Sequence, residues 1–222
     1  MPKRIALSWS SGKDSAWTLH VLREQGDVDV VGLLTTINVA HDRVAMHAVR
    51  SELLRKQADA AGVELFTVPI PWPCGNDEYE ARMAEAVERA KGSGIEHIAF
   101  GDLFLEDIRR YREDRLRGTG INPVFPIWGI PTRELARTMI ASGLRARITC
   151  VDPKKLSAAF AGRDFGADFL DALPPSVDPC GENGEFHSFA YAGPMFRKPI
   201  AIEAGEVVER DGFVFADVLP IT

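Results

Sequence analysis

The sequence predicts an α/β protein: a doubly wound parallel sheet followed by a small C-terminal α+β region. Over the first two-thirds of the chain, short apolar runs alternate with segments whose apolar residues recur at helical spacing. This alternation is typical of a parallel sheet with helices on both faces. After about residue 152 the alternation ends, and prolines interrupt the chain. We therefore predict a domain over residues 1–150 and a C-terminal region over residues 151–222.

The individual elements follow from local patterns. Apolar runs without polar alternation predict buried strands, and periodic segments that end at glycine predict helices. The predicted strands are residues 4–9, 29–36, 64–70, 96–100 and 145–151, and the predicted helices are 13–25, 44–61, 76–91, 103–117 and 131–142. Residues 200–208 and 212–219 predict two antiparallel strands. Ligands of such sheets bind beyond the carboxyl ends of the strands, near the point where strand order reverses.

Composition excludes several classes of protein. The formal net charge of -6 argues against nonspecific nucleic-acid binding, although residues 108–117 form a local arginine-rich segment. The sequence contains no run of about 18 apolar residues, so no membrane-spanning helix is predicted. The N-terminus does not resemble a signal peptide, so we expect a cytoplasmic location. The three cysteines form no C-x-x-C pair, so neither a zinc ribbon nor a dithiol motif is predicted.

The turn after the first predicted strand carries the strongest signal. It reads Ser10-Ser11-Gly12-Lys13-Asp14-Ser15. Backbone N–H groups at a helix N-terminus bind phosphate, and the hydroxyl groups and Lys13 add donors. Asp14 is explained if Mg²⁺ accompanies the phosphates. The segment is neither a Walker A loop nor a dinucleotide-binding loop. The alternative is a polar turn in which Asp14 or Ser11 caps the helix. The segment is, however, the first strand-to-helix turn of an α/β chain, and this position favours the phosphate site.

Other polar residues end the neighbouring strands. Gly101 and Asp102 follow the fourth strand, where an aspartate binds Mg²⁺ or a ribose hydroxyl, or caps the next helix. Thr35 and Thr36 end the second strand, where this fold usually meets the adenine, and the alternative is that they are ordinary strand residues. His47 and Arg50 share one predicted helical face, which by itself indicates a solvated surface.

Residues 10–15 resemble the S-G-G-x-D-S signature of the PP-loop ATP pyrophosphatases. Ser11 replaces a glycine, a minor departure because serine tolerates most turn geometries other than positive φ. The resemblance implies a Rossmann-like fold of the HUP type that cleaves ATP between its α and β phosphates and transfers AMP. Residues 1–150 are then the PP-loop ATP-binding domain, and residues 151–222 lie on the substrate side. The implied nucleotide-binding residues are Ser10, Ser11, Gly12, Lys13, Asp14, Ser15, Thr36, Gly101 and Asp102, with Asp14 and Asp102 as Mg²⁺ ligands.

Two further blocks resemble the diphthine–ammonia ligase branch of this superfamily. One covers residues 106–116 and 122–129, and the other, residues 177–188, is similar to the signature G-E-x-G-E-[FY]-H-[ST]. Together the motifs span residues 5–199. The branch couples ATP cleavage to amide formation between ammonia and the carboxylate of diphthine, a modified histidine on elongation factor 2.

The resemblance also implies roles for individual residues. The implied catalytic residues are Lys13, Asp14, Glu182, Glu185 and His187, and the implied substrate-binding residues are Arg109, Tyr111, Arg112 and Asn183. Two carboxylates and an imidazole within six positions, between glycines, favour proton transfer or a second metal site. Cys180 is interpreted as a small buried thiol rather than a nucleophile.

Three hypotheses for function stay open. The first is an AMP- and pyrophosphate-forming ligase that uses ATP, Mg²⁺ and ammonia or an amine, with an unidentified carboxylate acceptor that is either small or carried on a protein. The second is a PP-loop tRNA-modifying enzyme, although paired cysteines and an RNA-binding region are not apparent. The third is a non-catalytic adenine-nucleotide sensor. No membrane or nucleic-acid partner is expected, and homodimer formation is left open.

Overall fold

The computed structural model describes residues 2–44 and 49–221, which form two β-sheets with flanking helices. The strands are β1 (Lys3–Ser8), β2 (Val28–Asn38), β3 (Arg43–Val44), β4 (Glu64–Ile70), β5 (His97–Ala99), β6 (Asn122–Val124), β7 (Arg145–Val151), β8 (Asp164–Phe165), β9 (Phe186–Ala192), β10 (Ile202–Arg210) and β11 (Phe213–Pro220). The helices are α1 (Lys13–Gln25), α2 (Ser51–Ala61), α3 (Asn76–Gly92), α4 (Glu106–Leu116), α5 (Thr132–Ala141) and α6 (Ala167–Ala172), with a 3₁₀ turn at Ala158–Phe160. None of these described helices is long and apolar enough to span a bilayer.

The first sheet has the strand order β3-β2-β1-β5-β6, and β4 also pairs with β2. Strand β3 is antiparallel to β2, whereas the pairs of β1 with β2, β2 with β4, β1 with β5 and β5 with β6 are parallel. Strand order reverses between β1 and β5, so the crevice beyond their carboxyl ends is where such sheets bind ligands. The predicted doubly wound parallel sheet is confirmed.

Helices cover both faces of this sheet, because successive residues of a strand point to opposite sides. Ile5 and Leu7 of β1 belong to a core that contains residues of α1 and α2. Ala6, between them, packs instead in a second core with Val87 of α3. The first core continues through the C-terminal region as far as Val218. The two sheets therefore share one apolar interior.

The second sheet has the order β10-β11-β7-β8, with β9 also paired to β7, and all of these pairs are antiparallel. The apolar run of β7 predicted a further strand of the parallel sheet, and this was wrong. A fully apolar strand indicates burial on both faces, but it does not specify the direction of its neighbours. The change of sheet lies between β6 and β7, and a domain division after residue 150 stays a prediction.

Helix α2 begins later than the sequence predicts. The predicted helix starts at residue 44, whereas Val44 pairs with Ile37 in a short strand. Arg50 has φ -61° and ψ 139°, an extended conformation, at the N-cap position of α2. The predicted helical face shared by His47 and Arg50 is therefore wrong for Arg50, while His47 lies outside the described residues.

Candidate active site

Two adjoining cavities open at the carboxyl ends of β1 and β5. The larger has a volume of about 870 Å³ and lies between the sheet and helices α3 and α4. The smaller has a volume of about 240 Å³ and lies over the turn between β1 and α1. Four residues line both cavities: Ser8, Ser10, Phe100 and Arg112. The cavities therefore form one cleft at the reversal of strand order, a common position for small-molecule sites.

Residues 10–15, here called the first loop, carry the groups that anion binding requires. Helix α1 begins at Lys13, and Gly12 occupies its N-cap without a side-chain cap. An uncapped N-terminus presents backbone N–H groups and the positive end of the helix dipole. The hydroxyl groups of Ser10 and Ser15 lie 3.2 Å apart at the small cavity. The first loop can therefore receive a phosphate from backbone and hydroxyl donors.

Ser11 adopts the conformation that serine tolerates least. Its φ is 68°, in the left-handed region that favours glycine. Its hydroxyl oxygen is buried and makes no hydrogen bond to any of the described residues. Its carbonyl oxygen accepts hydrogen bonds from the N–H of Ala190 and the Nε2 of Gln57, each at 2.9 Å. Ser11 therefore shapes the first loop through its backbone, in the geometry for which the S-G-G-x-D-S signature has a glycine.

Lys13 is buried, with only 2% of its surface exposed. Its Nζ donates to both carboxylate oxygens of Asp14, at 3.0 and 2.8 Å, and to the carbonyl oxygen of Cys180. The rings of Phe165 and Phe186 lie 5.5 and 5.4 Å from the same nitrogen. Burial alone would lower the pKa of Lys13, but Asp14, Cys180 and Glu182 together raise that pKa above its ordinary value. These three acceptors match the three donors of an ammonium group, so Lys13 ties the first loop to the C-terminal region.

Three carboxylates surround the small cavity: those of Asp14, Asp102 and Glu182. Burial raises the pKa of Asp102, whose Oδ2 lies 3.5 Å from the Nε of Arg112. Burial and the nearby Asp14 raise the pKa of Glu182 to about 7. Within residues 2–44 and 49–221, no three His, Cys, Asp or Glu side chains form a metal site by themselves. Asp14 and Asp102 can supply the one or two carboxylates with which Mg²⁺ is usually held beside phosphates.

Residues 178–185, here called the C-terminal turn, reach the cleft through Glu182. Its Oε1 accepts a hydrogen bond from the backbone N–H of Leu103 at 2.7 Å. Glu185 is buried instead, and its Oε1 accepts from the N–H of Asp178 and the Nδ2 of Asn183, at 3.0 and 3.2 Å. In the described part of the chain, neither Glu185 nor Asn183 lines the two cavities. Glu185 and Asn183 therefore hold the turn together.

His187 and Cys180 both line the small cavity. Burial, together with the charges of Lys13 and Lys155, lowers the pKa of His187 to about 4. The imidazole is therefore neutral at pH 7. Burial raises the pKa of the Cys180 thiol, whose Sγ lies 3.4 Å from the carbonyl oxygen of Thr132. Because a nucleophilic cysteine requires a thiolate, this environment agrees with a structural thiol.

The residues predicted near the adenine and ribose lie in two places. Thr36 lines the large cavity, whereas Thr35 is buried and donates to the carbonyl oxygen of Trp9 at 2.8 Å. Gly101 lines the small cavity, and a Cβ there would lie 3.1 Å from the carbonyl carbon of Asp14. Gly101 therefore lets the segment after β5 pack closely on α1.

The residues predicted on α4 differ in their access to the cleft. Arg112 lines both cavities, and Tyr111 lines the large one. Arg109 lines neither of them within the described residues. Its guanidinium carbon lies 4.9 Å from the ring centres of both Phe125 and Trp128, a cation–π arrangement that stabilises the packing of α4.

Sequence reasoning missed two residues that join the halves of the site. Gln57 is buried in α2, and its Nε2 donates to the carbonyl oxygens of Ser11 and Ala190, at 2.9 and 2.6 Å. Ser188 accepts a hydrogen bond from the backbone N–H of Lys13 at 3.2 Å. Gln57 could have been found from the sequence as an amide on the apolar face of a predicted helix. Such a residue is expected to be buried, and a buried polar group requires hydrogen-bond partners.

The chain is similar to two family models and to several known proteins. The family model described as "Diphthamide synthase N-terminal domain" matches residues 3–123, and the one described as "Diphthamide synthase C-terminal domain" matches residues 131–217. The diphthine–ammonia ligases of Bos taurus and Homo sapiens are each 26% identical to this chain over 242 residues, covering 97% of it and 88% of their own length. The diphthine–ammonia ligase of Schizosaccharomyces pombe is 27% identical over 120 residues, covering 52% of this chain and 20% of its own length.

Proposed function

Because the chain belongs to the diphthamide synthase family, we propose that it is an ATP-dependent amide ligase that forms AMP and pyrophosphate. The observation that supports this most directly is the small cavity. It brings together an anion-binding loop after β1, the carboxylates of Asp14 and Asp102, and Glu182 from the C-terminal turn. A nucleotide-binding loop and a group that can transfer protons therefore share one space.

The large cavity suits the adenosine and the small cavity suits the phosphates. Leu34, Phe100 and Thr36 give the large cavity an apolar wall with one hydroxyl. The N–H groups at the start of α1 and the hydroxyls of Ser10 and Ser15 then face the phosphates. Lys13 also lines the small cavity, where its positive charge favours an anion even though its hydrogen bonds go to protein acceptors.

Asp14 and Asp102 are the proposed ligands of Mg²⁺. The ion, when bound, would neutralise charge on the departing pyrophosphate. Two carboxylates that line one small cavity fit a divalent cation because the ion relieves their mutual repulsion. Arg112, beside Asp102, supplies a second positive charge at the junction of the cavities.

Amide formation requires a base for the incoming amine. The acceptor carboxylate attacks the α-phosphate, pyrophosphate leaves, and ammonia then displaces AMP from the acyl-adenylate. We assign the proton transfer to Glu182, because its pKa of about 7 suits a base at neutral pH and because it lines the cavity. The neutral imidazole of His187 contributes hydrogen bonds at the acceptor side, and Glu185 and Asn183 support the turn.

As the acceptor we propose diphthine on elongation factor 2, and the name of the relatives, diphthine–ammonia ligase, supports this choice. The test supplies radiolabelled ATP, MgCl₂ and ammonium, with the factor bearing either diphthine or an unmodified histidine. We expect equal amounts of AMP and pyrophosphate, and an amidated factor, only with diphthine. AMP formation that requires tRNA would indicate a tRNA-modifying enzyme. ATP binding without cleavage would indicate a nucleotide sensor.

A further inference from the structure

Asp178 organises the C-terminal turn through its carboxylate. Its Oδ1 accepts hydrogen bonds from the backbone N–H groups of Cys180, at 2.9 Å, and Glu182, at 3.2 Å. Its Oδ2 accepts from the Oγ1 of Thr132 at 2.6 Å. Its own N–H donates to Glu185. One side chain thus fixes two amides of the turn and attaches them to the first residue of α5.

Both residues held by Asp178 also contact the nucleotide side of the cleft. The carbonyl oxygen of Cys180 accepts from the Nζ of Lys13. The carboxylate of Glu182 accepts from the N–H of Leu103, a fully buried residue in the segment that follows β5. Hydrogen bonds therefore lead from α5 through Asp178 to the first loop and to the segment after β5.

The conformation of the C-terminal turn depends on Gly181 and on the carboxylate of Asp178. Gly181 has φ 74°, and a Cβ there would lie 2.8 Å from the carbonyl oxygen of Phe186. An aspartate that accepts from the N–H two residues later offers the backbone a local partner in place of water. Without that acceptor, the amides of Cys180 and Glu182 gain by turning towards solvent.

We propose that Asp178 is a positioning residue for the ligase reaction. It holds the C-terminal turn so that the Glu182 carboxylate stays against Leu103 at the wall of the small cavity. A base fixed beside the reacting atoms accelerates the reaction because its orientation is set before substrate binds. The inference rests on the proposed function for the role of Glu182, but the placement of that side chain can be measured without any substrate.

The first arm of the test is amide hydrogen exchange in the full-length chain, with the N–H of Leu103 as the reporter. In Asp178→Ala, we expect exchange at Leu103 to rise about tenfold or more, while amides of β1 keep their protection. Asp178→Asn keeps one acceptor oxygen and should restore most of the protection. Asp171→Ala, an exposed carboxylate of α6, serves as the control and should change nothing. If Asp178→Ala does not fold, Thr132→Val removes only the anchor to α5 and should raise exchange at Leu103 by about threefold.

The second arm is steady-state kinetics of AMP formation. We expect Asp178→Ala to lower kcat by about 30-fold or more with a KM for ATP within about threefold of the wild type, and Asp178→Asn to recover most of the rate. A protected Leu103 amide in Asp178→Ala overturns the proposal, and so does a variant that loses ATP affinity rather than rate. A wild-type chain that forms no AMP contradicts the proposed function, whereas the exchange data decide the placement of Glu182 independently.

Discussion

Lys13 donates a hydrogen bond to the carbonyl oxygen of Cys180, which lies 167 residues further along the chain. The ammonium group therefore links the first loop to the C-terminal turn and is also a charge at a proposed phosphate site. Its burial between the rings of Phe165 and Phe186 gives this link a measurable contribution to stability.

We expect Lys13→Met to destabilise the protein by about 3 kcal/mol, because removing one partner of a buried ion pair leaves the other uncompensated. Asp14 is 27% exposed, which keeps the loss at the lower end for such pairs. Urea unfolding at pH 7 measures it. Lys56→Met is the matched control, since its pair with Glu52 is exposed and contributes little. An unchanged midpoint for Lys13→Met would contradict the linking role.

Ser11→Gly should stabilise the protein by about 1 kcal/mol. Glycine adopts positive φ without steric cost, and the change also removes a buried hydroxyl that has no hydrogen-bond partner within residues 2–44 and 49–221. Differential scanning calorimetry should show a higher Tm, with the affinity for a non-hydrolysable ATP analogue retained. Ser11→Ala separates the two contributions, because it removes the hydroxyl and keeps the strained backbone. A lower Tm for Ser11→Gly would show that the loop conformation is not strained.

The stability of the protein should fall between pH 6.5 and pH 4 because of His187. The folded-state pKa of about 4 lies below the ordinary value, so the unfolded chain binds the proton first. The contribution of the neutral His187 imidazole to the free energy of unfolding is complete above pH 6.5. This contribution decreases by about 3 kcal/mol as the pH falls to 4. Urea unfolding across this range should therefore show a shallower decline for His187→Asn than for the wild type. If the free energy of unfolding falls with the same slope in both proteins, His187 is not held neutral by the fold. As an internal control, the difference in free energy between the two proteins should be constant from pH 7 to pH 8.

Glu182→Gln should lower kcat for ATP-dependent amidation by about 100-fold or more, since a general base contributes that much to a rate. In the wild type, the rate should rise with pH through about 7, where the carboxyl of Glu182 loses its proton. Free ammonia must be held constant across the pH series, so that its own titration does not appear in the profile. Glu185→Gln provides the contrast, because Glu185 holds backbone and amide donors and its loss should lower Tm more than it changes the pH profile. A wild-type pH profile retained in Glu182→Gln would assign the base elsewhere.

Local features of the site were predictable from the sequence, but contacts between distant residues were not. The bounds of α1 and the position of Gly101 and Asp102 beyond β5 follow from apolar runs and short turns, which are properties of neighbouring residues. Lys13 is buried against Cys180 and the rings of Phe165 and Phe186, none of which is near it in the sequence. Likewise, the apolar sequence of β7 predicts a strand, but its antiparallel neighbours come from later in the chain.

The same long-range contacts have a consequence for synthesis on the ribosome. The carbonyl oxygen of Ser11 accepts from the N–H of Ala190, and the N–H of Lys13 donates to Ser188. A growing chain that has emerged only to the end of β6 contains the first loop but neither of these partners. We therefore expect nascent chains to acquire ATP affinity only after residue 190 leaves the exit tunnel, so that an interrupted translation product cannot consume ATP.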